Sequence, residues 1–174
     1  MLQWSRRLLV GLNILNWAFL VLFMIALVAI SLRPDMVLDA ISGAKPAIDG
    51  GYMLDLFRIT LLLCIPIAIA AHAIFTRLIA MIDATRAGAA FTSDNARRLR
   101  TIGWWLLATQ VIDAGYGWLS FEMSRISGEV FGWQPSLTAW LAVLLLFVLA
   151  RIFEQGAAMR EELEQTIWCR SISS

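Results

Sequence analysis

Residues 8–32 read LLVGLNILNWAFLVLFMIALVAISL, twenty-five residues in which only Asn13, Asn16 and Ser31 carry polar side chains. A helix rises 1.5 Å per residue, so about 20 residues cross a hydrocarbon core roughly 30 Å thick. In lipid the backbone must satisfy its own polar groups, which makes such a span helical. Arg6 and Arg7 precede it like a signal-peptide n-region. The apolar run is far longer than a signal core and no Ala-x-Ala site follows, so the reading is an uncleaved transmembrane helix.

Three further stretches follow the same pattern. Residues 59–76 are uncharged, and the run extends to Ile82 if Arg77 snorkels toward the interface. Residues 101–121 are interrupted only by Asp113, and residues 130–150 carry no charge, although Gly132, Gln134 and Pro135 make their start irregular. Hydrophobic residues make up 60% of the 174 and charged residues 16%, against roughly a quarter charged in soluble domains. A soluble globule of this size cannot hide so much apolar surface, and the mean hydropathy of +0.74 agrees. A soluble enzyme or nucleic-acid-binding domain is excluded. The expected fold is all-α, one integral membrane domain over 1–174 forming a four-helix bundle. Its spans fall at about 8–32, 59–82, 101–121 and 130–150, and the last continues as a cytoplasmic helix over 151–168.

Orientation follows from Arg and Lys in the short flanks. Arg6, Arg7, Arg77, Arg86, Arg97, Arg98, Arg100, Arg151, Arg160 and Arg170 fall on one side, and Arg33, Lys45, Arg58 and Arg125 on the other. Both termini are therefore expected in the cytoplasm, in a bacterial inner membrane. Trp4, Trp104 and Trp105 then lie near the inner interface, Trp118 and Trp133 near the outer one, and Trp17 and Trp140 deeper as packing residues. In the first outer loop Arg33-Pro34-Asp35 reads as a helix start, with Met36, Val37, Leu38 and Ile41 on the outer leaflet. Cys64 and Cys169 form neither a disulfide framework nor a metal spacing.

The charged segments hold most of the functional information. In Phe91-Thr92-Ser93-Asp94-Asn95, Thr92 or Ser93 can cap a helix whose positive end suits Asp94. That helix begins about two turns before its span. Arg97, Arg98 and Arg100 crowd the same end, where the dipole disfavours cations by about 0.3–1 kcal/mol each. Lipid phosphate is one answer to them. Another lies in the chain itself: residues 151–168 keep a helical period, with a stripe of Ile152, Gly156, Met159, Leu163 and Ile167. Glu154, Glu161, Glu162 and Glu164 supply acid on the rest of that helix. Docking within the chain and docking to a cytoplasmic partner both fit.

Two of these segments carry a resemblance. Residues 88–104, GAAFTSDNARRLRTIGW, resemble the signature loop of the bacterial membrane family called domain of unknown function 2975. Residues 149–167, LARIFEQGAAMREELEQTI, are similar to that family's C-terminal motif, in which the last span runs into a charged helix closing on Thr-Ile or Thr-Val. The resemblance implies the four-span plan and no established chemistry. It also implies a regulatory hint, since relatives occur beside small helix-turn-helix regulators. Relatives end soon after the closing pair, whereas this chain adds WCRSISS at 168–174.

Within the spans Asp113 is the costliest residue, about 2.5–3.5 kcal/mol near the bilayer centre on insertion scales. Thr109, Asp113, Tyr116 and Ser120 share a helix face flanked by Gln110 and Gly117, so that face is expected to avoid lipid. Asp113 lies about 18 Å from the inner boundary and His72 about 15 Å, at 1.5 Å per residue. A His72–Asp113 hydrogen bond is the leading expectation, with Asn16 as a shallower third member. Such a pair serves as helix glue or as a proton-linked switch. No metal set, phosphate loop or catalytic constellation can be assembled, so no enzyme, cofactor or metal is expected.

The expected function is a non-enzymatic inner-membrane regulatory or accessory protein. It presents Arg97, Arg98, Arg100 and the 151–168 helix to a cytoplasmic regulator or a larger membrane complex, with no direct nucleic-acid contact. The alternative is a small homo-oligomeric channel or proton-linked transporter lined by Asp113, Tyr116 and Gln110. Single Pro66 supports transport weakly, because no inverted repeat with matching interruptions accompanies it.

Overall fold

The computed structural model describes residues 2–35, 39, 50–89, 91–127 and 132–172. Among these the chain is all-helical, with four long helices: α1 Leu2–Leu32, α2 Gly50–Arg86, α3 Ser93–Ser127 and α4 Leu137–Ile172. The shortest has 31 residues, about 46 Å at 1.5 Å per residue, so each is long enough to cross a bilayer. Length alone does not suffice. Three of the four are also apolar enough, over Gln3–Leu32, Leu54–Arg86 and Leu137–Glu162. The expected third span on α3 falls short of that standard. Thr109, Gln110, Asp113, Tyr116 and the Trp and Gly residues around them dilute its aliphatic content.

The apolar helices behave as solutes of lipid. No residue in the most apolar stretch of α1 is buried, and Ile14, Val21, Leu22 and Ile25 are all exposed. A soluble monomer does not expose apolar surface on that scale. Of the eleven buried apolar residues described, six are Ala. Small residues let helix backbones approach closely, which is how helices pack where lipid removes any hydrophobic drive.

Helix ends follow their local sequence. α2 stops in a Schellman turn. Gly88, at φ 78°, lets Ala89 N–H donate to Ala84 O at 3.0 Å and Gly88 N–H to Thr85 O at 3.1 Å. Thr92 caps α3, its Oγ1 accepting from Asn95 N–H at 3.3 Å. Ser136 does the same for α4, accepting from Ala139 N–H at 3.4 Å. Residues 132–136 are not helical, so the expected span start at 130 moves to Leu137, because Pro135 and its neighbours cannot continue a helix backwards. Helix starts and stops also extend past the uncharged runs: Arg58 reaches Asp55 and Arg125 reaches Glu122, both one turn apart. Of the leaflet helix expected from Pro34 onward, Pro34 and Asp35 are helical, and Met36, Val37, Leu38 and Ile41 lie outside the described residues.

The chain divides into two compact units. One comprises Met1–Gly11, Ala73–Ala108 and Ser136–Ser174. Here Arg6 Nε meets Asp83 at 3.1 Å, joining α1 to α2. Gly103 admits the Phe147 ring, Trp104 meets that ring edge-on at 5.5 Å, and Phe91 packs on Phe153 at 5.0 Å. The other comprises Leu12–His72 and Thr109–Pro135. Asn16 Nδ2 donates to Ala68 O at 3.0 Å across α1 and α2, and the Trp133 indole lies directly over Gly117.

Candidate functional site

Three clusters of polar residues are candidates. The first joins α1 to α2. His72 Nδ1 lies 2.9 Å from Asn13 Oδ1 and 3.2 Å from Trp17 Nε1, and the Trp17 and His72 rings meet edge to face at 5.3 Å. An indole N–H can only donate. Trp17 therefore needs Nδ1 unprotonated, with the ring proton on Nε2 and Asn13 presenting its amide NH2. A proton on Nδ1 would instead serve Asn13 Oδ1 and leave the indole without this acceptor. The sequence expects Asp113 as the partner of His72; the ring's Nδ1 meets Asn13 and Trp17 of α1. Asn16, expected as a third member, bonds Ala68 O one turn before His72. Asn13 and Trp17 were not foreseen. Their i, i+4 spacing, with Asn16 between them, is the available signal.

The second cluster is the polar face of α3. Gln110 and Ser120 are buried, and Thr109, Asp113 and Tyr116 are half-buried. The Gln110 Nε2 has no hydrogen-bond partner among the described residues, a state that costs about 1–3 kcal/mol. Below that face an open groove of about 720 Å³ runs past Gly117, Trp118, Phe121 and Trp133, and the buried Trp133 Nε1 is likewise unpartnered among the described residues.

The third cluster is the charged end of α3 and α4, where opposite charges meet as one of the two sequence readings expects. Arg100 Nη2 lies 3.0 Å from Glu154 Oε1, and Arg151 Nη1 lies 3.8 Å from the other Glu154 oxygen. Arg98 turns inward, donating to Asn95 Oδ1 at 2.9 Å and to Ala80 O at 3.3 Å. Arg97 turns outward, 77% exposed, with Asp94 3.5 Å away. Glu161 and Glu162 are exposed, while the side chain of Glu164 lies outside the described residues.

Asn95 organises this end. It is 1% exposed, and its Nδ2 donates to Ala89 O at 3.2 Å. With its Oδ1 on Arg98 and its N–H on Thr92, it ties the α2–α3 turn to the first turn of α3. The sequence reading assigned no role to Asn95; its signal was a small amide placed three residues after a capping Thr. A groove of about 330 Å³ opens beside this turn, lined by Phe91, Thr92, Ser93, Asp94, Arg160 and Glu161 among others.

No curated protein and no solved structure matches the chain. A family model does, over residues 5–167, a stretch that takes in nearly all of the four helices and both quoted motifs. The chain therefore belongs to the family described as protein of unknown function, DUF2975.

Proposed function

We propose that this chain is a non-enzymatic accessory or regulatory protein of the bacterial inner membrane that offers the α3 start and the α4 tail to a cytoplasmic partner. In this reading α3 is the fourth crossing of a four-helix bundle. Its polar face turns inward, which is how a helix too polar to face lipid alone is accommodated. Both termini are cytoplasmic by the arginine bias. The observation that carries the reading is the groove beside the Asn95 turn, with exposed Phe91, Asp94, Arg160 and Glu161 around it. An aromatic anchor ringed by both signs of charge suits a helical partner, such as a small helix-turn-helix regulator.

The test is a photo-crosslinking residue at Arg97, compared with one at Leu22 on the lipid-exposed face of α1. The reading expects a soluble protein adduct from position 97 and none from position 22. Adding Arg97→Glu with Glu161→Arg, and moving the crosslinker to Ser93, should lose the adduct while membrane insertion stays normal. Lipid adducts alone at position 97 would remove the partner. A second reading, an oligomeric channel or transporter, is favoured by the unpartnered Gln110 amide next to half-buried Asp113. It expects Asp113→Asn to abolish proteoliposome flux that the charge reversals leave intact.

A further inference from the structure

Arg77, Arg97 and Arg98 line one open cavity of about 310 Å³ with Asp94 and Thr101. Three guanidinia thus face a single carboxylate. That carboxylate belongs to Arg97, at 3.5 Å. Among the described residues neither Arg77 nor Arg98 has an ion-pair partner. Backbone holds them instead: Arg77 Nη1 donates to Ala73 O at 2.8 Å, and Arg98 Nη1 to Ala80 O and the Asn95 amide. Each guanidinium has five N–H donors, and those bonds use only Nη1. Each guanidinium is tethered through Nη1 while most of its donors stay available.

Position adds to the imbalance. Arg97 and Arg98 sit in the first turns of α3, at the helix end where cations are disfavoured. Arg77 lies inside the apolar stretch Leu54–Arg86 and is followed by Leu78, Ile79, Ala80, Met81 and Ile82. A guanidinium there is at the depth where headgroup phosphates meet hydrocarbon. Oriented donors, a net positive lining and this depth call for a compact oxyanion. Phosphate matches the planar fork of Arg in a bidentate way.

We propose that the Arg77–Arg97–Arg98 cavity is a phosphate-binding site and that its occupant is the headgroup of an anionic phospholipid. The site does not depend on the partner reading, because it is tested on the purified chain with no second protein. The full chain goes into nanodiscs of phosphatidylcholine containing a minor fraction of phosphatidylglycerol. Native mass spectrometry then counts the lipids retained on ejection. Wild-type protein should enrich phosphatidylglycerol over the bulk ratio. Arg77→Gln with Arg97→Gln should lower that enrichment by about fivefold for each guanidinium lost. Arg125→Gln, remote in sequence and outside the cavity, should leave it unchanged.

A second arm uses pure phosphatidylcholine discs and inorganic phosphate. Stabilisation by phosphate in wild type and not in the double variant, without lipid enrichment, keeps the phosphate site and moves its source to solution. Asp94→Asn serves if the double variant fails to fold, since removing the lining's one carboxylate should raise enrichment. The absence of both lipid enrichment and a phosphate effect overturns the proposal. So does an equal loss in Arg125→Gln, or an enrichment that Asp94→Asn leaves unchanged or lowers.

Discussion

At Gly117 and Gly103 an aromatic ring takes the space a side chain would fill, but the two positions differ in how much it can yield. A Cβ on Gly117 would fall inside the Trp133 indole, whereas one on Gly103 would lie 3.3 Å from the tip of Phe147. Gly117→Ala is therefore expected to cost about 1–3 kcal/mol through overpacking. Gly103→Ala should stay within about 1 kcal/mol of neutral, since the Gly-to-Ala gain in helix propensity offsets a small ring shift. Thermal midpoints of the two detergent-purified variants check the difference. The same measurement separates Asn95 from Arg97. Asn95→Ala leaves the Ala89 carbonyl and Arg98 short of partners, with an expected loss of about 1–3 kcal/mol. Arg97→Ala removes an exposed pair that contributes little.

Among the elements, α1 is joined to α2 by several polar side chains. Asn13, Asn16 and Trp17 bond α2, and Arg6 bonds Asp83. Trp17→Phe and His72→Phe, alone and together, should show a coupling of about 0.6 kcal/mol, the typical value for hydrogen bonds within membranes. A coupling near zero would mean that the edge-on ring contact, not the hydrogen bond, holds this seam. Three of the helices are legible in the sequence because uncharged runs of 18 or more residues have few alternatives in lipid, and α3 is legible from a run broken only by Asp113. Their boundaries were less so: Asp55–Arg58 and Glu122–Arg125 carry α2 and α3 past the charges that seemed to end them. The meeting of Arg100 with Glu154 was among the readings because opposite charges on two helices invite pairing. The neighbours of His72 were not, since depth along a helix says nothing of rotation about its axis, and the rotation brings Nδ1 to Asn13 and Trp17.

For the whole molecule the number of crossings is three by apolarity alone and four when α3 is sheltered by its neighbours. Cysteine accessibility distinguishes them once Cys64 and Cys169 are replaced by Ser. With four crossings, Ser5→Cys and Ser93→Cys should be shielded from an impermeant thiol reagent added outside intact cells, and Ser124→Cys and Ser136→Cys should react. If α3 does not cross, Ser93→Cys and Ser124→Cys will label alike. The family match, from residue 5 to residue 167, spans both motifs and the helices between them.

The lipid-facing character of α1 also bears on synthesis. Asn16 finds its acceptor Ala68 fifty-two residues later in the chain. At common translation speeds that is a wait of roughly 3–10 s. During it the nascent first helix must dwell in the bilayer or at the translocon with two bare amides. Its long aliphatic run makes that dwell tolerable, and the arrival of α2 turns a solitary insertion into a matched pair.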